Sequence, residues 1–163
     1  MAETFQLAMS HDVVERIRRH GAEAFPHECC GALLGRDSVA AERVSAQDET
    51  PPKETREVLE LFPLVNRRDD SPRNRFAVTA TDVRDAEKAA REHGFEVIGW
   101  YHSHPDHPAR PSDFDREHAW PWYSYVIVSV MSGKPADMAS WRLNDDRQNY
   151  SPEGIEIRNS ALA

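Results

Sequence analysis

Phe95-Glu96-Val97-Ile98-Gly99-Trp100-Tyr101-His102-Ser103-His104-Pro105 is an apolar run that ends in two histidines one residue apart. The residues Phe95–Tyr101 are rich in β-branched and aromatic side chains and follow Gly94, so they read as a buried strand running into His102. On extended backbone, residues i and i+2 project to the same side. His102 and His104 can therefore offer imidazole nitrogens to one point. Downstream lies Pro111-Ser112-Asp113-Phe114-Asp115, where Ser112 opens a short helix and Asp115 can return a carboxylate to that point. Two nitrogens and one oxygen suit Zn²⁺, and three protein ligands leave a fourth position for water. That open position separates a catalytic zinc site from a structural one.

Upstream, Pro26-His27-Glu28-Cys29-Cys30-Gly31-Ala32-Leu33-Leu34-Gly35 is a second apolar run bounded by Pro and Gly, again read as a buried strand. If it lies beside the strand ending in His102, Glu28 becomes the natural general base, and Ser112 can hydrogen-bond a developing oxyanion. Each residue alone has a plainer explanation. A single histidine among eight is by default a surface or core residue, and Ser112 with Asp115 would serve merely to cap a helix. The combined spacing, His-x-His-Pro-x(6)-Ser-x-x-Asp, is what turns the reading toward a metal.

That spacing resembles the signature of the JAMM (MPN-plus) zinc metalloproteases, and the Glu28 strand is similar to the family's upstream glutamate strand. The resemblance extends from the first helix to about Leu143. It implies His102, His104 and Asp115 as zinc ligands, Glu28 as general base and Ser112 as oxyanion helper. It implies an α/β fold of the MPN, cytidine-deaminase-like type: a mixed, mostly antiparallel sheet flanked by helices, as a single domain over 1–163. A compact acidic chain looks most like the prokaryotic members. Those hydrolyse peptide, isopeptide or amino-acid adducts at the C-terminal Gly-Gly of ubiquitin-like or sulfur-carrier proteins, and a homodimer is compatible with the likeness. Two other readings share the pattern: a RadC-like protein associated with DNA repair, and a non-catalytic MPN scaffold.

Bulk properties narrow the field. A chain of 163 residues with 39% hydrophobic and 29% charged content matches one soluble domain. The net charge of −8 argues against nucleic acid as a partner, because backbone binding needs clustered Lys and Arg. The N-terminus lacks the pattern of a secretory signal, and no apolar run approaches the roughly 20 residues that span a bilayer, so a cytoplasmic protein without membrane contact is expected. Cys29 and Cys30 are adjacent, so they read as small buried hydrophobes rather than a disulfide framework.

The remaining elements follow from local pattern. The first is a helix capped by Ser10, with Asp12 in its first turn and a stripe of Val13, Val14 and Ile17 before Gly21. Val39–Val44 would pair with the Glu28 strand as a hairpin. Ser45–Thr55 and Arg67–Arg75 are loops, candidate rims for an extended tail; Arg56, Arg67, Arg68, Arg73 and Arg75 read as a solvated face that could also meet an acidic carrier. Arg56–Asn66 is an edge-type strand because of Pro63. A second helix is capped by Thr79 or Thr81, carries Val83, Ala86, Ala89 and Ala90 on its apolar face, and ends at Gly94. Ser124–Val130 and Met138–Leu143 are strands joined through Gly133 and Pro135, with a last strand near Ile155–Arg158. His107 and His118 are expected at the surface, and Trp100, Trp120, Trp122 and Tyr123 in the core.

Overall fold

In the computed structural model, residues 5–37, 54–65 and 78–159 are described, and the expected hairpin partner at Val39–Val44 and the Arg67–Arg75 loop lie outside them. Among the described residues, seven strands and three helices run in the order β1 (Phe5–Ser10), α1 (His11–Ala24), β2 (Cys30–Asp37), β3 (Glu54–Leu64), α2 (Ala80–Glu92), β4 (Glu96–Pro105), α3 (Asp113–His118), β5 (Ser124–Met131), β6 (Lys134–Leu143) and β7 (Tyr150–Arg158). The strands close into a barrel in the order β1-β3-β2-β4-β5-β6-β7. Four of its pairings are antiparallel and three parallel, so the expected mixed sheet with an antiparallel majority is present.

The expectation of a sheet flanked by helices is corrected by β1. Phe5–Ser10 pairs in parallel with both β3 and β7 and closes the sheet on itself. For the same reason β3 is not an edge strand, since β1 lies on one side of it and β2 on the other. Pro63 is tolerated at the end of β3, opposite Gly31, where it is exposed. Arg56 is no solvated loop residue either. It is 1% exposed and donates to the Ile98 carbonyl (3.1 Å) and the Ser124 hydroxyl (3.1 Å).

Helix α1 begins where Ser10 Oγ accepts the Val13 N–H at 3.1 Å. Its buried Val13, Val14 and Ile17 join Leu7, Leu33, Ile98, Val126 and Val128 in one apolar cluster, with Gly21 buried on the same helix. A side chain at Gly21 would press on Val130 Cγ2 at 3.0 Å, so the close seating of α1 against β5 depends on that glycine. Helix α2 opens with a capping box in which Thr79 and Asp82 exchange hydrogen bonds of 3.0 and 3.1 Å. Its Ala86 and Ala90 pack against Ala32, Leu34, Val97 and Trp100 on the opposite face of β2 and β4. These two strands are thus buried on both faces, which is why they read as continuous apolar runs.

Candidate metal centre

Strand register builds the site. β2 and β4 are antiparallel with Cys30 opposite His102 and Gly31 opposite Tyr101. Continuing that register past the start of β2 sets Glu28 opposite His104, on the side of the sheet that carries both histidines. Two bonds hold the extension in place: Ser103 N–H donates to the Cys29 carbonyl at 3.1 Å, and Cys29 N–H donates to Ser103 Oγ at 2.8 Å. Ser103 points away from the histidines, is fully buried, and is a positioning residue that the motif's spacing left as an unspecified x. Gly31 is required because the Tyr101 ring occupies the space a side chain would fill, with Tyr101 Oη 2.8 Å from His20 Nδ1.

His102 Nε2 and His104 Nε2 lie 3.1 Å apart, and the Asp115 carboxylate faces both, Oδ1 at 3.3 Å from His102 Nε2 and Oδ2 at 3.1 Å from His104 Nε2. All three ligand atoms fall within 4.8 Å of one another. His104 Nδ1 is 2.9 Å from the Pro108 carbonyl, an acceptor that fixes the proton on Nδ1 and leaves the Nε2 lone pair directed at the cluster. Asp115 is delivered by the first turn of α3, where Ser112 N–H donates to Asp115 Oδ2 (2.9 Å) and Asp115 N–H donates to Ser112 Oγ (3.1 Å). One carboxylate therefore both caps the helix and turns toward the imidazoles. Ser112 Oγ accepts the capping bond, so its own hydrogen stays available to a third group.

Electrostatics separate the two carboxylates. Burial works against charge on Asp115, but His102 and His104 beside it, with the Ser112 amide, hold it well below the usual carboxylate range. Glu28 is 7% exposed, and burial pushes it up to about 8, with His104 drawing it down and Asp115 driving it further up. One carboxylate is thus held charged, and the other is poised to exchange a proton near neutral pH.

Two openings meet at this cluster. On the Glu28 side, a cleft of about 360 Å³ is lined by Glu28, His104, His107, Arg110 and Ser112, among others. On the other side, a groove of about 750 Å³ reaches from His102 and Asp115 past Phe114, Trp120 and Trp122. Trp100 is in the core as expected, but Trp120 and Trp122 are not: they are 62% and 47% exposed. The loop after α3 turns them outward, with Trp122 at φ 92° and its ring 4.2 Å from the Arg56 guanidinium. Alternation between apolar and polar neighbours is missing there, so the sequence carried no signal for it. His107 and His118 are at the surface, His107 on the rim of the cleft and His118 on the rim of the groove. Both cysteines are free and buried. Burial pushes the Cys29 thiol up to about 12, which makes it a packing group and not a nucleophile.

A profile of the prokaryotic homologs of the JAB domain matches residues 10–144. The desampylase of Haloferax volcanii is 31% identical over 129 residues, covering 76% of this chain and 81% of that protein. Among solved structures, a Desulfitobacterium hafniense protein superposes with a TM-score of 0.74 at 28% identity, covering 94% of each chain. A Salinibacter ruber protein gives 0.66 at 41% identity, covering 94% of this chain and 93% of that one. A JAB1/MPN domain protein from Archaeoglobus fulgidus, 17% identical, shares the fold with a TM-score of 0.52 over 93% of this chain and 96% of its own. No helix among the described residues is long and apolar enough to cross a membrane. The matched span runs from the cap of α1 to the end of β6 and holds Glu28, His102, His104, Ser112 and Asp115, and the chain belongs to the prokaryotic branch of the JAB-domain (JAMM/MPN) family.

Proposed function

We propose that this chain is a zinc-dependent hydrolase that cleaves a peptide, isopeptide or amino-acid adduct bond at the C-terminal Gly-Gly of a ubiquitin-like or sulfur-carrier protein. The observation that carries the reading is the convergence of His102 Nε2, His104 Nε2 and an Asp115 oxygen, with Glu28 in register opposite His104. The donor set fits zinc. The two imidazole nitrogens lie 3.1 Å apart, each faces one oxygen of the Asp115 carboxylate at 3.3 and 3.1 Å, and one ligand atom from each residue falls within 4.8 Å of the others, close enough to share one small cation. The Pro108 carbonyl fixes the tautomer that leaves His104 Nε2 free to bind it. Such a metal, when bound, supplies Lewis acidity that lowers the pKa of its water to about 7 and polarises a substrate carbonyl.

The protein's own groups do the rest. Glu28 accepts a proton at its carboxylate and returns it to the departing nitrogen, a role that its burial beside the candidate ligands suits. Ser112 donates its hydroxyl hydrogen to the carbonyl oxygen of the substrate. Asp115, held charged, keeps the histidines oriented. Because Glu28 must reach the departing nitrogen, the leaving group occupies the Glu28 cleft, and the acyl chain runs along the groove past Trp120 and Trp122. An extended Gly-Gly tail, lacking side chains, suits a path that passes between a strand end and a short helix. The similarity to a protein named desampylase supports a carrier-protein substrate.

The test is hydrolysis by the zinc-loaded chain of a Gly-Gly-tailed carrier adduct set against a free dipeptide. Turnover confined to the carrier supports the reading. Equal turnover of the dipeptide would favour a small-molecule amidase. Salt-sensitive DNA binding without cleavage would favour the RadC-like alternative, and zinc uptake without any turnover would favour a scaffold.

A further inference from the structure

The cleft on the Glu28 side carries a feature that the metal chemistry does not use. Arg110 stands on its rim, exposed, with no hydrogen-bond or ion-pair partner among the described residues. The segment that holds it is fastened at three successive carbonyls. Ser129 Oγ donates to His107 O at 2.6 Å, His104 Nδ1 to Pro108 O at 2.9 Å, and Trp141 Nε1 to Ala109 O at 3.1 Å. Asp106 adds two more bonds, its N–H to the Val130 carbonyl and its Oδ1 from the Ser132 N–H, each 2.7 Å. Ala109 itself is buried. A loop tied to β5 and β6 in this way sets the Arg110 backbone in advance, so that only the side chain must order on binding.

From this we infer that Arg110 reads the α-carboxylate of the leaving group, and that the substrate carries a free amino acid or a chain terminus on the nitrogen side. This rests on the hydrolase reading above. In the reaction, water adds its oxygen to the carbonyl carbon, the C–N bond breaks, and the nitrogen leaves with a proton passed through Glu28. The products are a carrier carboxylate and a free amine. In an α-amino acid, a single carbon separates that nitrogen from the carboxylate, so a group held beside Glu28 has its carboxylate within the same small cleft as Arg110. A guanidinium binds a carboxylate bidentately with charge assistance. In a lysine isopeptide the departing nitrogen instead ends a four-carbon stem and carries no nearby carboxylate. The cleft's volume of about 360 Å³ suits one residue far better than a folded neighbour.

The experiment compares one Gly-Gly carrier in three forms: extended by alanine, extended by alaninamide, and joined to a lysine ε-amine. The zinc-loaded chain is expected to favour the alanine form over the alaninamide form by about tenfold to a hundredfold in kcat/KM. R110M should erase that preference by lowering turnover of the alanine form alone, with zinc content unchanged, and R110K should recover part of it. Free alanine, but not alaninamide, should compete with the wild-type chain and not with R110M. Equal turnover of alanine and alaninamide forms, a preference for the lysine form, or an equal loss on all three in R110M would overturn the assignment while leaving the hydrolase intact. Cleavage of none of the three would bring down the hydrolase reading itself.

Discussion

Replacing Glu28 by Gln keeps the shape of the side chain and removes its charge, and the structure assigns that change two separate consequences. Burial raises the Glu28 carboxyl from its ordinary 4.5 to about 8. A folded-state value above the unfolded one means that the folded chain holds the proton more tightly. The stability this gives is complete below about 4.5 and is lost as pH rises through about 8. At about 1.4 kcal/mol per pH unit, the wild-type chain without metal should lose up to about 5 kcal/mol across that window through this group alone. Gln does not titrate, so the difference in stability between E28Q and wild type should grow in favour of E28Q by that order. Denaturant melts of the chelator-treated proteins at a series of pH values measure it, and groups common to both cancel. The second consequence is catalytic. Zinc content should be unchanged while kcat/KM falls by about 10²- to 10⁴-fold, the usual worth of a positioned acid–base. A stability difference that does not vary with pH would refute the burial argument, and near-native turnover would refute the proton-transfer role.

Other perturbations follow from the same geometry. Ser103→Ala leaves the buried Cys29 N–H without its acceptor and should cost about 1–3 kcal/mol in chemical denaturation, with reduced turnover but retained zinc, because Glu28 loses its tether. Glu153 is 4% exposed and accepts from Ser124, Ser140 and Arg142. Glu153→Gln uncouples the buried Arg142 charge and should lower stability by about 3 kcal/mol, read from a thermal melt, without altering zinc affinity. Ser112→Ala removes the proposed donor to the carbonyl oxygen and one bond of the capping box, so kcat should fall about tenfold to a hundredfold while helix α3 frays in hydrogen exchange.

Much of the site was legible because it is local. His102 and His104 share a strand, and Ser112 and Asp115 share a helix turn, so spacing alone brings each pair together. Glu28 was legible only on the condition that two apolar runs were neighbours, and the register of Cys30 with His102 meets it. What escaped depended on distant pairing. Phe5–Ser10 is six residues, with Leu7, Ala8 and Met9 buried in succession and no alternation to announce a strand, and it owes its extended form to β3 on one side and β7 on the other. Without it the barrel could not be foreseen. Arg56, read as a solvated arginine, is held by carbonyl, hydroxyl and carboxylate partners supplied from β4, β5 and Asp37, none of them near in sequence. Trp120 and Trp122 are turned outward by a loop whose backbone at Trp122 adopts a positive φ, a conformation that composition does not signal for tryptophan.

The most direct test of the account is the metal content of the purified chain. Elemental analysis should find close to one zinc per chain, lost in His104→Ala and in Asp115→Asn and retained in Glu28→Gln. Zinc absent from the wild type after exposure to micromolar metal, or retained undiminished when His104 or Asp115 is replaced, would contradict it.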